Sequence, residues 1–328
     1  MTLRMNISSE AWPMREPFRT ARGLITEIAL LVVTLSDDRG HTGQGEAVGV
    51  PYDGETVATM TAQLDAIAPR LASEGLDIDL LQCLPAGGAR NALDCALWDL
   101  KAKRAGKRVW SLAGLPEVAP VTTALTLSIA SDEDHRRHVR EARHLPILKL
   151  KVDRDHHLDL VRIAREEHPH ARLLVDANQS WDRPLVDALV PVLAELGVEL
   201  IEQPVARGAD ESLRGYRGPV ALAADESCTD RASLSRLEGL YKFVSIKLEK
   251  TGGLTEALAV AQRAADMGFG LMVGNMGGTS LSMASHFVIA QRCTYVDLDA
   301  PLIIRGDRRH AMRYDGAVLF PPDARLWG

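Results

Sequence analysis

The sequence predicts an α/β fold, a closed (β/α) barrel preceded by a small α+β unit. Three observations carry the prediction. From about Val121 onward eight apolar strand-like runs appear: "VTTALTLSIA", "PILKLKVD", "RLLVDAN", "VELIEQPV", "VALAADES", "FVSIKLEK", "GLMVGNM" and "YVDLDA". Amphipathic helices such as "LVDALVPVLAELG" and "LTEALAVAQRAADMG" separate most of them, at a repeat of roughly 25 residues. The chain before Val121 lacks this beat. Strands alternating with helices at that spacing run parallel through crossover connections, and eight of them close into a ring instead of an open sheet.

Taken in order, "LRMNISSEAW" and "EIALLVVTLSDDRGHTGQGEAV" read as antiparallel strands turning at "DDRG". A helix is predicted from about Thr56 to Leu71. A clearer one is "ARNALDCALWDLKAKRAG", where Ala89, Leu93, Ala96, Leu97 and Leu100 recur at helical spacing and Gly106 ends the run. These elements make 1–118 the α+β unit, and the barrel spans 119–304. No helix follows the eighth strand. "IIRGDRRHAMRYDGAVLF" reads as irregular chain and a strand, so 305–328 is expected to return to the first unit.

The 328 residues are 46% hydrophobic and 25% charged, the composition of a soluble globular protein of one large domain or two ordinary ones. A net charge of −6 gives no electropositive footprint, so no nucleic-acid partner is expected. No apolar run approaches a membrane span, and "MTLRMNISSEAW" lacks the core of a signal peptide. Cys83, Cys95, Cys228 and Cys293 lie far apart without a CxxC pair. They read as reduced thiols of a cytoplasmic protein, with no disulfide framework or zinc site. A homo-oligomer is compatible with this composition.

Barrel chemistry gathers at the C-terminal ends of the strands. Those ends carry Lys149 and Lys151 on the second strand, Asp176 and Asn178 on the third, and Glu202 on the fourth. Asp225 and Glu226 end the fifth, Lys247 the sixth, and Asp297 and Asp299 the eighth. One such Asp alone reads as a helix cap. Acids at the ends of three adjacent strands read as one shared site.

Carboxylates converging without Cys or His partners suit a hard divalent cation, and Mg²⁺ fits best because it keeps positions open for substrate oxygens. The lysines flank such a site. Residues i and i+2 of a strand share a face, so Lys149 and Lys151 point the same way, and like charge together with burial depresses an ammonium pKa. One lysine can remove a proton α to a metal-held carboxylate while the metal stabilises the enediolate, and the opposite lysine can return a proton on the other face. Lys151 is read as the base, with Lys149 lowering its pKa.

In order, the Lys149–Lys151 pair, "DAN", "EQP", "DES" and "IKLEKTGG" resemble the enolase superfamily, muconate-lactonizing subgroup, over essentially the whole chain. That superfamily's Lys-base and Mg²⁺ pattern is a known one. The resemblance implies a (β/α)7β modified TIM barrel under a capping domain built from the N-terminal part and the C-terminal tail. It implies Asp176, Glu202 and Asp225 as ligands of one Mg²⁺ per subunit, with Lys151 and Lys247 as paired acid/base residues. Asn178 and Glu226 would stand behind the ligands.

Cycloisomerases, o-succinylbenzoate synthases and dipeptide epimerases of the subgroup are similar in these residues. "YVDLDAPLI" separates them. Asp297 and Asp299 share a strand face and are placed to meet a substrate cation, which a dipeptide has in its α-ammonium and the dicarboxylates lack. The DxD resembles that of dipeptide epimerases, some of which act on Ala-Glu, a murein fragment. Epimerisation of a dipeptide at its C-terminal residue is therefore expected, with a cycloisomerase- or synthase-type lyase as the alternative. An idle barrel serving as an interaction module would have no need of two opposed lysines.

Two loops are expected over the barrel mouth, "EPFRTARGLIT" and "EAVGVPYDGET". Ala-Glu-specific members present an arginine in the first, near Ile25 of this chain. Arg22 is close by, so the expected substrate is L-Ala-D/L-Glu or a related dipeptide, with the apolar "GLI" offering a neutral or apolar side chain as the alternative to Glu. In "VGNMGGTS", Asn275 and Met276 are expected against the substrate, with the glycine N–H groups holding its oxygens. His135, His138 and His144 are assigned to a solvated helix face. His168 and His170 belong to a turn away from the mouth, and "KTGG" shapes a turn without Walker spacing.

Overall fold

The computed structural model describes residues 3–74, 78–115 and 117–328. The N-terminal unit is an antiparallel sheet of β1 (Leu3–Thr20), β2 (Gly23–Asp37) and β3 (Thr42–Ala47). Helices Val57–Glu74 and Gly88–Ala105 accompany it. The segment expected as a mouth loop is instead a hairpin. After a register break between Pro13 and Phe18, pairing resumes from Phe18↔Ile25 to Thr20↔Gly23 around the turn Ala21–Arg22. Phe18, Thr20, Ile25 and Thr26 are strand formers, and they carry the ladder to its tip.

β4 (Val121–Thr122) leads into the barrel. Its strands are β5 (Leu125–Leu127), β6 (Ile147–Lys151), β7 (Arg172–Asp176), β8 (Val198–Glu202), β9 (Ala221–Ala224), β10 (Phe243–Ile246), β11 (Gly270–Val273) and β12 (Tyr295–Val296). They form one eight-stranded sheet in sequence order, every pair parallel. The first and last strands meet where Ala124 N–H donates to Val296 O at 2.8 Å.

Ala124, Ile147, Leu174, Leu200, Ala223, Met272 and Tyr295 plug the barrel interior. Two residues further along each strand the side chain returns to the same face one layer higher. Those residues are Thr126, Lys149, Asp176, Glu202, Asp225, Gly274 and Asp297, so strand periodicity alone sets a polar layer on an apolar floor. The alternate residues, Leu148, Leu150, Leu173, Val175, Ile201 and Leu222 among them, pack outward in the large core with the helices.

The N-terminal unit docks through the Gly88–Ala105 helix. Arg90 donates to the carbonyls of Thr251 and Gly252 at 2.7 and 3.2 Å, and Asp94 accepts from the Thr255 N–H and hydroxyl at 2.8 and 2.6 Å. The "KTGG" turn permits this approach. Gly252 and Gly253 have φ of +74° and +121°, and a Cβ on them would lie 2.2 Å from Arg90 and 2.4 Å from Asp94.

In the tail, β13 (Tyr314–Asp315) and β14 (Val318–Leu319) form a three-stranded antiparallel sheet with β4. Arg308 reaches back to Glu10 and the buried Glu46, and Gly328 N–H donates to Asp99 at 2.7 Å. β4 and the N-terminal unit thus share the tail. Among the described residues no helix is long and apolar enough to cross a membrane.

One histidine departs from expectation. His144 is exposed and His138 half-buried, but His135 is fully buried in the Asp132–Glu141 helix, with Nε2 3.1 Å from Leu160 O. A charged helix still has one face against the core. Here that face meets the Leu158–Glu167 helix, and burial pushes the imidazole down to about 4.

Candidate active site

Lys151, Asp176 and Glu202 stand side by side in register at the ends of β6, β7 and β8. Asp176, Glu202 and Asp225 are all fully buried. Lys151 Nζ donates to Asp176 Oδ2 at 2.5 Å, and Lys247 Nζ to Asp225 Oδ2 at 2.7 Å. β6 and β10 are four steps apart in a ring of eight, so Lys151 and Lys247 face each other across the mouth.

Lys149 is buried at the centre of the acids, 2.6 Å from Glu202 Oε2, 2.7 Å from Asp297 Oδ2 and 3.2 Å from Asp176 Oδ2. The two strand lysines therefore titrate in opposite directions. Burial pulls Lys149 down, but Asp297, Glu202 and Asp176 outweigh it and hold the ammonium well above its ordinary value. For Lys151 burial dominates, Asp176 and Glu202 oppose it without offsetting it, and the neighbouring Lys149 and Lys247 add to it; its pKa is lowered. Asp176 and Asp225 are held far down against burial by their lysines, whereas burial raises Glu202 despite Lys149.

The donor set suits a hard cation. It is all oxygen, buried, and drawn from three adjacent strand ends, and Glu202 Oε1 lacks a hydrogen bond. With lysine ammonium groups drawn onto Asp176 and Asp225, no three acids among the described residues stand close enough together to cage an ion. Mg²⁺ binding to Asp176, Glu202 and Asp225 would thus compete with these ion pairs.

Asn178 donates its backbone N–H to Asp176 Oδ1 at 2.9 Å and lies at φ +44°, with Gln179 at +70° and Gln203 at +34° beside it. Three left-handed side-chain-bearing residues at two strand ends mark strained backbone. Glu226 is fully buried and pairs with Arg22 of the hairpin turn. Asp297 and Asp299 do not share a strand, because β12 ends at Val296. Asp297 also accepts from Thr126 Oγ1 at 3.1 Å, and Asp299 accepts from Thr126 N–H at 2.5 Å. Burial and the Asp297 charge push Asp299 up to about 7.

Asn275 spends its amide on the backbone, donating to Asp297 O beyond β12 at 2.7 Å and accepting from Gly277 N–H in its own loop at 2.8 Å. Met276 is half-buried next to it. Ile25 is 41% and Leu24 63% exposed at the hairpin tip.

Four residues of the site went unread in the sequence. Thr126 bridges Asp297 and Asp299. Lys250 donates to Asp225 Oδ1 at 2.6 Å, to Asp225 O and to Ser245 O at 2.9 Å. Gln203 accepts from the N–H groups of Asp225 and Ser227 at 2.9 and 3.1 Å, fixing the "DES" turn. Tyr52 lies against Arg22, its ring centroid 4.4 Å from the guanidinium. Lys250 was the most accessible to inspection: three residues past Lys247 in a turn that becomes helical, it returns to the same side.

Two family models cover the chain, the mandelate racemase / muconate lactonizing enzyme N-terminal domain at residues 2–114 and the enolase C-terminal domain-like model at 131–311. The chain belongs to this enolase-like family, whose members pair such a capping domain with such a barrel, and it is an enzyme. Its similarity reaches further, to particular members. It is 39% identical to the L-Ala-D/L-Glu epimerase of Escherichia coli K12, over 94% of this chain and 97% of that one. An Agrobacterium tumefaciens enolase family member with homology to dipeptide epimerases, solved with sodium and L-Ala-L-Glu, superposes with a TM-score of 0.95 at 38% identity, covering 99% and 100% of the two chains. A Methylococcus capsulatus dipeptide epimerase, complexed with Mg and L-Arg-D-Lys, gives 0.89 at 31% identity and 98% of each chain.

Proposed function

We propose that the protein epimerises a dipeptide at the α-carbon of its C-terminal residue, with Lys151 and Lys247 exchanging the α-proton on opposite faces. The observation that carries this reading is the placement of two lysines on diametrically opposed strands with three buried acids between them. A substrate carbon between them is flanked by a nitrogen on each side, the arrangement that inversion through a planar carbon requires.

Asp176, Glu202 and Asp225 would hold the Mg²⁺ cofactor, which when bound would supply positive charge to a substrate carboxylate. Lys151, whose pKa burial lowers, is the easier of the two to deprotonate. Lys149 stays charged among its acids and does not exchange protons with substrate. Asp299 and Asp297, beyond Thr126, supply the negative charge for the substrate α-ammonium, and Leu24 and Ile25 overhang the mouth from the hairpin.

L-Ala-L-Glu is the first substrate to test, in view of the relatives named above, beside L-Ala-L-Leu for the apolar hairpin tip. Incubation with Mg²⁺ in D₂O should put deuterium at the α-carbon and yield the L,D epimer by NMR. A panel of dipeptides showing neither exchange nor epimer would sink the reading.

A further inference from the structure

A stack of three side chains crosses the barrel mouth without a part in the proton transfers. Tyr52 has the guanidinium of Arg22 4.4 Å from its ring centroid and that of Arg207 at 5.8 Å. Three segments contribute: the β1–β2 turn, the Pro51–Asp53 turn and the loop after β8. Each arginine is tied to an acid. Arg207 grips both oxygens of Asp53 at 2.5 and 3.1 Å, and its own N–H donates to Gln179 Oε1 at 2.8 Å. Arg22 pairs with Glu226. Tyr52 Oη is buried with no hydrogen-bond partner.

Glu226 is fully buried next to Asp225 in the chain, and Arg22 is its ion-pair partner among the described residues. That cation is delivered from outside, on a turn flanked by the exposed Leu24. The hairpin stem is anchored lower down, where Ile129 N–H donates to Arg19 O at 3.0 Å, so the tip beyond Thr20 is the part free to lift. A buried carboxylate stripped of its partner is costly. Lifting the tip would leave Glu226 in that state, and lowering it restores both the ion pair and the cation–π contact with Tyr52.

The structure assigns Arg22 a positioning role: clasped between Tyr52 and Glu226, it latches the β1–β2 hairpin over the mouth and ties closure to charge balance at the strand ends. The catalytic consequence rests on the epimerase reading above, but the latch itself can be read without turnover. Hydrogen exchange over 20–26 and 49–55 in the substrate-free protein, with kcat and KM for L-Ala-L-Glu, would be measured in Arg22→Met, Tyr52→Ala, Glu226→Gln and Arg22→Met/Glu226→Gln. The expected result is at least ten-fold faster exchange in Arg22→Met and Tyr52→Ala, with KM raised more than kcat is lowered. Because the double variant has no buried charge to compensate, it should recover most of the exchange protection lost in Arg22→Met. Unchanged exchange in Arg22→Met, or a strictly additive double variant, overturns the latch. Absence of turnover in wild type counts against the epimerase reading and leaves the exchange measurements to decide the latch.

Discussion

Lys149 Nζ lies 2.7 Å from Asp297 Oδ2, joining the second barrel strand to the segment that follows the eighth. The contact distinguishes two acids that look equivalent in "YVDLDA". Asp297 already has a cation, whereas Asp299 accepts from the Thr126 N–H, has no ion-pair partner among the described residues, and has its pKa raised to about 7.

Asp299 should therefore dominate recognition of a substrate amine. A charge-assisted hydrogen bond contributes about 1.5–3 kcal/mol, so Asp299→Asn should lower kcat/KM for a free dipeptide by roughly ten- to a hundred-fold. The loss should be smaller in Asp297→Asn, and smaller again in either variant with the N-acetylated dipeptide. Equal free-amine preference in wild type and both variants would return the substrate question to the lyases.

The same carboxyl predicts a pH effect. Its pKa is raised to about 7, so it is mostly neutral below that value and ionised above it. The ratio of kcat/KM for free over N-acetylated substrate should climb between about pH 6 and 7.5, before the α-amino group itself deprotonates near pH 8. Asp299→Asn should flatten the climb. A ratio independent of pH in wild type would place the ammonium elsewhere.

Removing either opposed lysine should stop epimerisation but not all chemistry. Lys151→Ala and Lys247→Ala should each still exchange the α-proton of one epimer in D₂O, a different epimer in each variant. Undiminished epimerisation in either variant excludes two bases.

Chelation with EDTA should abolish turnover and Mg²⁺ should restore it. Asp176→Asn removes a charged oxygen donor from a hard-cation site and should weaken Mg²⁺ binding by calorimetry at least ten-fold. Full activity in a demonstrably metal-free preparation would refute the ligand assignment.

Stability should carry the mark of His135. Its folded pKa is about 4 against 6.5 for the free imidazole, so between those values the unfolded chain takes up a proton the folded one refuses. Stability is then full above pH 6.5 and falls towards pH 4, by on the order of 1.4 kcal/mol per pH unit at most. His135→Gln, denatured in urea across that range, should show a shallower loss than wild type.

The barrel was legible because its strands are short, apolar and evenly spaced, and the strand-end layer followed from counting in twos. Lys149, Asp176, Glu202 and Asp225 each stand two residues past a plug residue, and that offset is visible in the chain. What depends on ring closure was not. Thr126 is an ordinary strand threonine until β12 returns beside β5, and only then does it bridge two aspartates 171 and 173 residues away. Arg22 and Glu226 belong to separate units, and nothing local announces their pairing. His135 was hidden by its own neighbours, since a helix reading "DEDHRRHVRE" conceals its single buried stripe under charge.

The joint at Gly252 and Gly253 has a consequence for building chimeras. Arg90 and Asp94 belong to the capping helix, the glycines to the barrel, and neither pair tolerates a bulkier opposite number. A cap grafted from another barrel would have to bring a matching helix face, or meet a side chain where this seam admits none. Exchanging only the hairpin tip, residues 20–26, leaves that seam untouched. Substrate range is thus best retuned at the rim with Arg22 kept for its Glu226 partner, and with the seam between the two units inherited unchanged.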